Sequence, residues 1–276
     1  MVRLSLWLAL AVSVSAAEDP REIVRRSVES DSKYLDLVRQ YTFLERNETR
    51  QLDSKGNVKD RDARTWDITL LEGSPYRRLI ARDDKPLPPR EEAKEQEKLR
   101  KSIEGRKSET PEQRQARIDD ARRRLEKQRA PAKELPEAFD FRLAGEEKVD
   151  GLDVWVIECT PRKGYKPRAS LASFFPKVKG RLWIAKKDYQ WVRVEAESIE
   201  TISFGAILAR VAKGATIKIQ QTRVNNEVWL PKRIEIAATA RIALIKVFRG
   251  QVEMTYNQYK KFQAESRIVS LGAPTQ

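Results

Sequence analysis

Histidine is absent from the 276 residues and cysteine occurs once, as Cys159. Without histidine there is no histidine-based zinc site and no histidine acid–base chemistry. A lone cysteine excludes an intrachain disulfide, which favours a bacterial periplasmic protein over a small extracellular module. Cys159 ends the apolar run LDVWVIECTP, where a buried, inert thiol is expected. No glycine-rich phosphate loop and no nucleophile-elbow serine occur. Glu72, Asp83 and Asp84 stand near turns, where acidic residues are common for backbone reasons, and they leave an all-carboxylate site open. The expectation is a non-enzyme without cofactor or metal. Long apolar runs are missing too. The stretch from Leu4 to about Val14 is too short to cross a bilayer.

That stretch follows Arg3 and precedes Ser15, Ala16 and Ala17, the layout of a cleavable secretory signal peptide. Cleavage after Ala16 or Ala17 is expected, leaving 18–276 as one domain in the periplasm. No cysteine follows the small residues, so the protein is expected to be soluble and not lipid-anchored. The formal net charge is +14, of which Arg3 leaves with the signal. Export argues against nucleic acid. An anionic membrane surface, lipopolysaccharide or an acidic protein suits the charge, as does plain solubility.

Asp19 and Pro20 predict the start of a helix over 18–40, with Ile23, Val24, Val28, Leu35 and Val38 on its apolar side and a break at Asp31-Ser32. Residues 41–88 read as an antiparallel meander with turns at 53–57, 72–75 and 83–86. Composition then shifts: 90–130 hold 14 Lys or Arg and 10 Asp or Glu. This is a charged helical insertion, broken near Gly105 and before Pro111. Its anchors are Leu99, Ile103, Ile118, Ala121 and Leu125, and the pairs Glu97–Lys101 and Asp119–Arg123 support it. So thin a stripe touches the body on one side only.

Strands return from 137. Trp155 and Ile157 alternate with Val154 and Val156, so this strand is covered on both faces. In KGRLWIAKKDYQWVRVEAES, Leu182, Ile184, Val192, Val194 and Ala196 share one parity. Arg181, Trp183, Trp191, Arg193, Glu195 and Glu197 share the other. Two tryptophans among charges are either cross-strand partners on the outer face, or part of a second covered face, or an exposed contact surface. Residues 233–250 read as one long strand. The total is ten or eleven strands, and such a sheet must curl or close.

YTFLERNETRQLDSKGNV, SPYRRLIARDDKPLP, RLWIAKKDYQWVRVEAE, NNEVWLPKRIEI and MTYNQYKKFQAESRI together resemble the LolA-like periplasmic lipoprotein-carrier superfamily, which includes outer membrane lipoprotein-sorting protein homologues. The resemblance implies an α+β fold, mainly β: a strongly curved antiparallel sheet forming an unclosed barrel, with helices at its concave side. It also implies an apolar cavity for acyl chains, with Leu182, Ile184, Ile234, Ile236, Ile242, Leu244 and Phe248 as candidate lining and Arg77, Arg78 and Arg82 as a basic rim. The implied partner is a lipid acyl chain or lipoprotein, with an anionic membrane surface or outer-membrane protein beside it and a monomeric state. The alternative is a protein-interaction or envelope-stress-sensing module of the same fold without lipid cargo.

Overall fold

Pro20 opens helix α1 (Pro20–Lys33), and the Asp19 carboxylate accepts the Arg21 backbone N–H at 3.1 Å. Both features satisfy the start of a helix, whose first N–H groups have no partner within it. The computed structural model describes residues 18–33, 35–204, 209–242 and 246–262. The expected signal peptide, Leu244 and the Ile242 side chain lie outside these. Helix α1 buries Ile23, Val24 and Val28 and runs through Asp31-Ser32 before a short α2 (Leu35–Val38).

The meander follows as expected: β1 (Tyr41–Leu52), β2 (Val58–Leu71), β3 (Ser74–Arg82) and β4 (Lys85–Pro86). Glu72-Gly73 and Asp83-Asp84 turn with positive φ at both positions, which matches the twist of the strands they join. A Cβ at Gly73 would stand 2.9 Å from Ile118 Cδ1, so that side chain would have to shift to admit one.

The charged insertion forms α3 (Pro89–Lys107) and α4 (Pro111–Arg129). Thr110 and Gln113 make a reciprocal capping box at the start of α4. The expected break at Gly105 does not occur. One glycine costs a helix only about 1 kcal/mol, and α3 continues to Lys107. Lys101 pairs with Glu97 at 3.5 Å as expected, but Arg123 pairs with Asp120, and Asp119 accepts from Gln115 instead. No residue of either helix is buried.

After α5 (Leu135–Ala138) come β5 (Phe139–Val149), β6 (Leu152–Pro161), β7 (Val178–Ala185), β8 (Trp191–Ser198), β9 (Ile202–Phe204), β10 (Ala209–Val211), β11 (Thr216–Val224), β12 (Val228–Ile242) and β13 (Lys246–Lys261). The expected single strand over 233–250 is therefore two, with Ile242 opposite Lys246. Among the described residues all pairings are antiparallel, and the 13-stranded sheet runs β4-β3-β2-β1-β13-β12-β11-β8-β7-β6-β5, with β10 pairing β12 and β9 pairing β10 off this path. Its ends do not meet. The fold is an unclosed antiparallel half-barrel of the kind the resemblance implied, with helices on its inner face.

Candidate functional site

One end of the inner face is filled. Ile23 and Val24 of α1 pack on Trp155, Ile157, Leu182 and Ile184, with Phe139 and Phe175 closing the cluster. Cys159 lies in this cluster, 6% exposed, and burial pushes its thiol up to about 12. The opposite side of β6 and β7 carries a second cluster, with Val154, Val156, Trp183, Val192 and Trp229. The strand is covered on both sides, as its sequence requires.

The two tryptophans of the β7–β8 hairpin do not share a face. A bulge pairs Trp183 with Arg193 but Ile184 with Trp191, so Val192 is the extra residue and alternation resets there. Trp191 turns inward, packs on the α1 cluster and donates its indole N–H to the buried Ser27 hydroxyl at 2.6 Å. Trp183 turns outward and is still only 4% exposed. The Arg193 guanidinium stands 4.7 Å from its ring centroid, and its N–H reaches Glu147 at 3.0 Å. Neither is a bare contact surface.

The middle of the inner face is different. Cross-strand register aligns Ala196, Ile217, Ile236 and Val252 in one row, and Val194, Ile219, Ile234 and Met254 in the next. All eight are only half-buried. The rows end in Thr49 and Asn47 on β1. A depression of about 430 Å³ adjoins them, lined by Cys159, Gly180, Ala196 and Ile217 together with charged neighbours such as Glu158 and Lys218. Of the expected cavity residues, Ile234 and Ile236 sit in these rows. Phe248 is half-buried further along, its ring against Gly250. Leu182 and Ile184 belong to the filled end.

The outer face carries charge in register. Arg142, Glu158, Arg181, Glu195, Lys218, Glu235, Glu253 and Glu48 follow one another across eight strands. Arg181 meets Glu158 at 2.8 Å, Arg233 meets Glu235 at 2.9 Å and Glu253 at 3.0 Å. Glu48, 3% exposed, accepts from Arg61, Arg46 and Arg50, and these bonds hold its carboxyl at about 2 against an ordinary 4.5. The face is closely self-compensated.

Between α4 and the inner side of β1–β3 lies a cavity of about 540 Å³. Its floor is Phe43, Ile68 and Leu70, and α4 adds Ala121 and Leu125. Arg106 donates to the carbonyls of Leu71 (2.6 Å) and Ser74 (3.0 Å), and Arg117 to the Glu72 carbonyl at 3.0 Å. These bonds dock the insertion, and nothing in the spacing of charges revealed them. The expected basic rim is dispersed. Arg77 pairs with Glu45 at 2.6 Å and lies 3.7 Å from the Trp66 ring centroid; Arg78 pairs with Asp67 and Arg82 with Glu91. Register puts Arg77 and Arg82 on one side of β3 and Arg78 on the other.

No protein-family model matches the chain, and no curated protein matches it. Among solved structures it superposes on an outer membrane lipoprotein-sorting protein domain from Vibrio parahaemolyticus (11% identity, 89% of this chain and 95% of that one, TM-score 0.34). A LolA superfamily protein from Nitrosomonas europaea gives 13% identity, 91% and 96% coverage and a TM-score of 0.33. The MucA/MucB complex of Pseudomonas aeruginosa gives 10%, 89%, 100% and 0.26. The half-barrel itself is defined by the strand order and register of this chain.

Proposed function

We propose that the protein is an exported, non-catalytic binding protein of the periplasm that shields an acyl chain of a lipid or lipoprotein. The observation that carries this reading is the pair of half-buried apolar rows across β8, β11, β12 and β13. They are continuous, they face the helix-bearing side, and the helices that bury Leu182 and Ile184 leave them partly open to water. Covering them with a hydrocarbon chain gains about 0.8 kcal/mol per methylene removed from water. A single chain thus supplies useful, reversible affinity without chemistry. Ile234, Ile236 and Phe248 are the contact residues proposed, with Ile242 and Leu244 next to them in sequence.

Native mass spectrometry of gently purified protein, followed by lipid extraction, is the first test, and a displaceable fluorescent fatty acid the second. Bound lipid and a probe that Ile236→Trp weakens are the expected results. If no lipid co-purifies, no probe binds and Ile236→Trp changes nothing, the carrier reading fails and a protein-interaction module replaces it.

A further inference from the structure

The carrier reading leaves the ligand's polar end undefined, and the cavity under α4 supplies a criterion. Its floor is aromatic and aliphatic, from Phe43, Ile68 and Leu70, and its wall includes Leu125. Its size, about 540 Å³, falls within the range of small-molecule sites. Its charge is one-sided. Arg39, Arg106, Arg117 and Arg124 line it, against the carboxylate of Asp120, which is already engaged by Arg123.

Arg106, Arg117 and Arg124 differ in what neutralises them. Arg117 is held by Glu109 at 2.7 Å. Arg106 spends its donors on backbone carbonyls, which carry no net charge to offset it. Arg124 is exposed, and among the described residues it forms no ion pair. A guanidinium next to an apolar wall gains most from an oxyanion, which it can bind through two parallel N–H bonds.

We infer that this cavity is the site for an anionic amphiphile, its carboxylate or phosphate head bound by Arg124, with the positive charge of Arg106 added, and the first part of its chain on Phe43, Ile68 and Leu70. The inference rests on the carrier reading and narrows it to negatively headed chains. Phe43 also marks the way inward, since its ring stands 5.9 Å from that of Tyr256 on β13, the strand that carries Val252 and Met254.

The test uses the full mature chain and a fluorescent polyene fatty acid, displaced by palmitate, hexadecyl phosphate or hexadecanol. Palmitate and hexadecyl phosphate are expected to compete about tenfold better than hexadecanol, the value of one charge-assisted contact. The phosphate and carboxylate arms decide which oxyanion is preferred. Arg124→Gln is expected to remove that difference while leaving hexadecanol unchanged. Ala121→Trp, which fills the cavity from the half-buried side of α4, is expected to weaken both acids. Equal competition by hexadecanol and palmitate overturns the anionic site and leaves the carrier reading standing. So does full palmitate binding in Ala121→Trp together with its loss in Ile236→Trp. Failure of every chain to bind, in protein whose melt is cooperative, overturns both.

Discussion

Two stretches of the same inner face, β6–β8 and β11–β13, are built from similar aliphatic residues and end in different states. At β6–β8, Ile157 and Ile184 are fully buried because α1 lays Ile23 and Val24 across them. At β11–β13, Ile219, Ile234 and Ile236 stay half-open. The side chains do not differ in kind. What differs is the supply of a partner from within the chain. Burial is concentrated where the partner is present, and the proposed binding surface lies where it is missing.

The largest effect that sharpens this contrast is Ile184→Ala. A cavity in the filled end should cost about 2–5 kcal/mol in denaturant unfolding. A loss near that of an exposed site would mean that α1 is not a fixed part of the core. Next comes the thiol. With Cys159 buried and its pKa pushed up to about 12, labelling by a thiol reagent should wait for unfolding. Fast labelling of folded protein would place the packed end in the open class.

The outer face provides a third measurement. Glu48 has its pKa depressed, through Arg61 first and Arg46 and Arg50 after it. The contribution is complete above the ordinary 4.5 and is lost as pH falls toward about 2. Thermal melts of Glu48→Gln should therefore show a shallower acid limb than the parent over that window; parallel limbs would remove Glu48 from the account. The smallest effect is expected at Ile236→Ala, about 1–2 kcal/mol, because that side chain is only half-buried and the site it leaves is open to water. A cost equal to that of Ile184→Ala would show that the rows are core and not a site.

Much of this was legible in the sequence. Asp19-Pro20 marked the start of α1, the turn residues at 53–57, 72–75 and 83–86 marked the meander, and the two-sided apolar run at 152–159 marked a strand covered on both faces. Three features were not. The β7–β8 bulge leaves no residue signature, so parity put Trp191 on the wrong side. The end of β12 lacks Gly, Asn, Asp or Pro, so β12 and β13 read as one strand. The arginine bonds that dock α3 and α4 end on backbone carbonyls, and a carbonyl has no letter in the sequence. The dispersal of Arg77, Arg78 and Arg82 follows from alternation along β3 and from a bulge near its end.

An open half-barrel has a cost that a closed one avoids: two strand edges that another chain can extend. On the β5 side, the ladder is interrupted by a register shift between Leu143 and Gly145, and Glu146, Glu147 and Lys148 follow. On the other side, α3 and α4 lie against β3, Arg106 occupies carbonyls of Ser74 and Pro75, and Pro86 closes the short β4. This placement predicts that the charged insertion guards that edge. Replacing residues 91–128 by a Gly/Ser linker should leave a cooperative melt and a β-rich spectrum, yet yield a protein that self-associates with concentration in sedimentation velocity. Collapse of the fold would instead make Leu99, Ile103, Ile118 and Leu125 part of its core. In the first case, the helices' work is to keep the molecule apart from copies of itself.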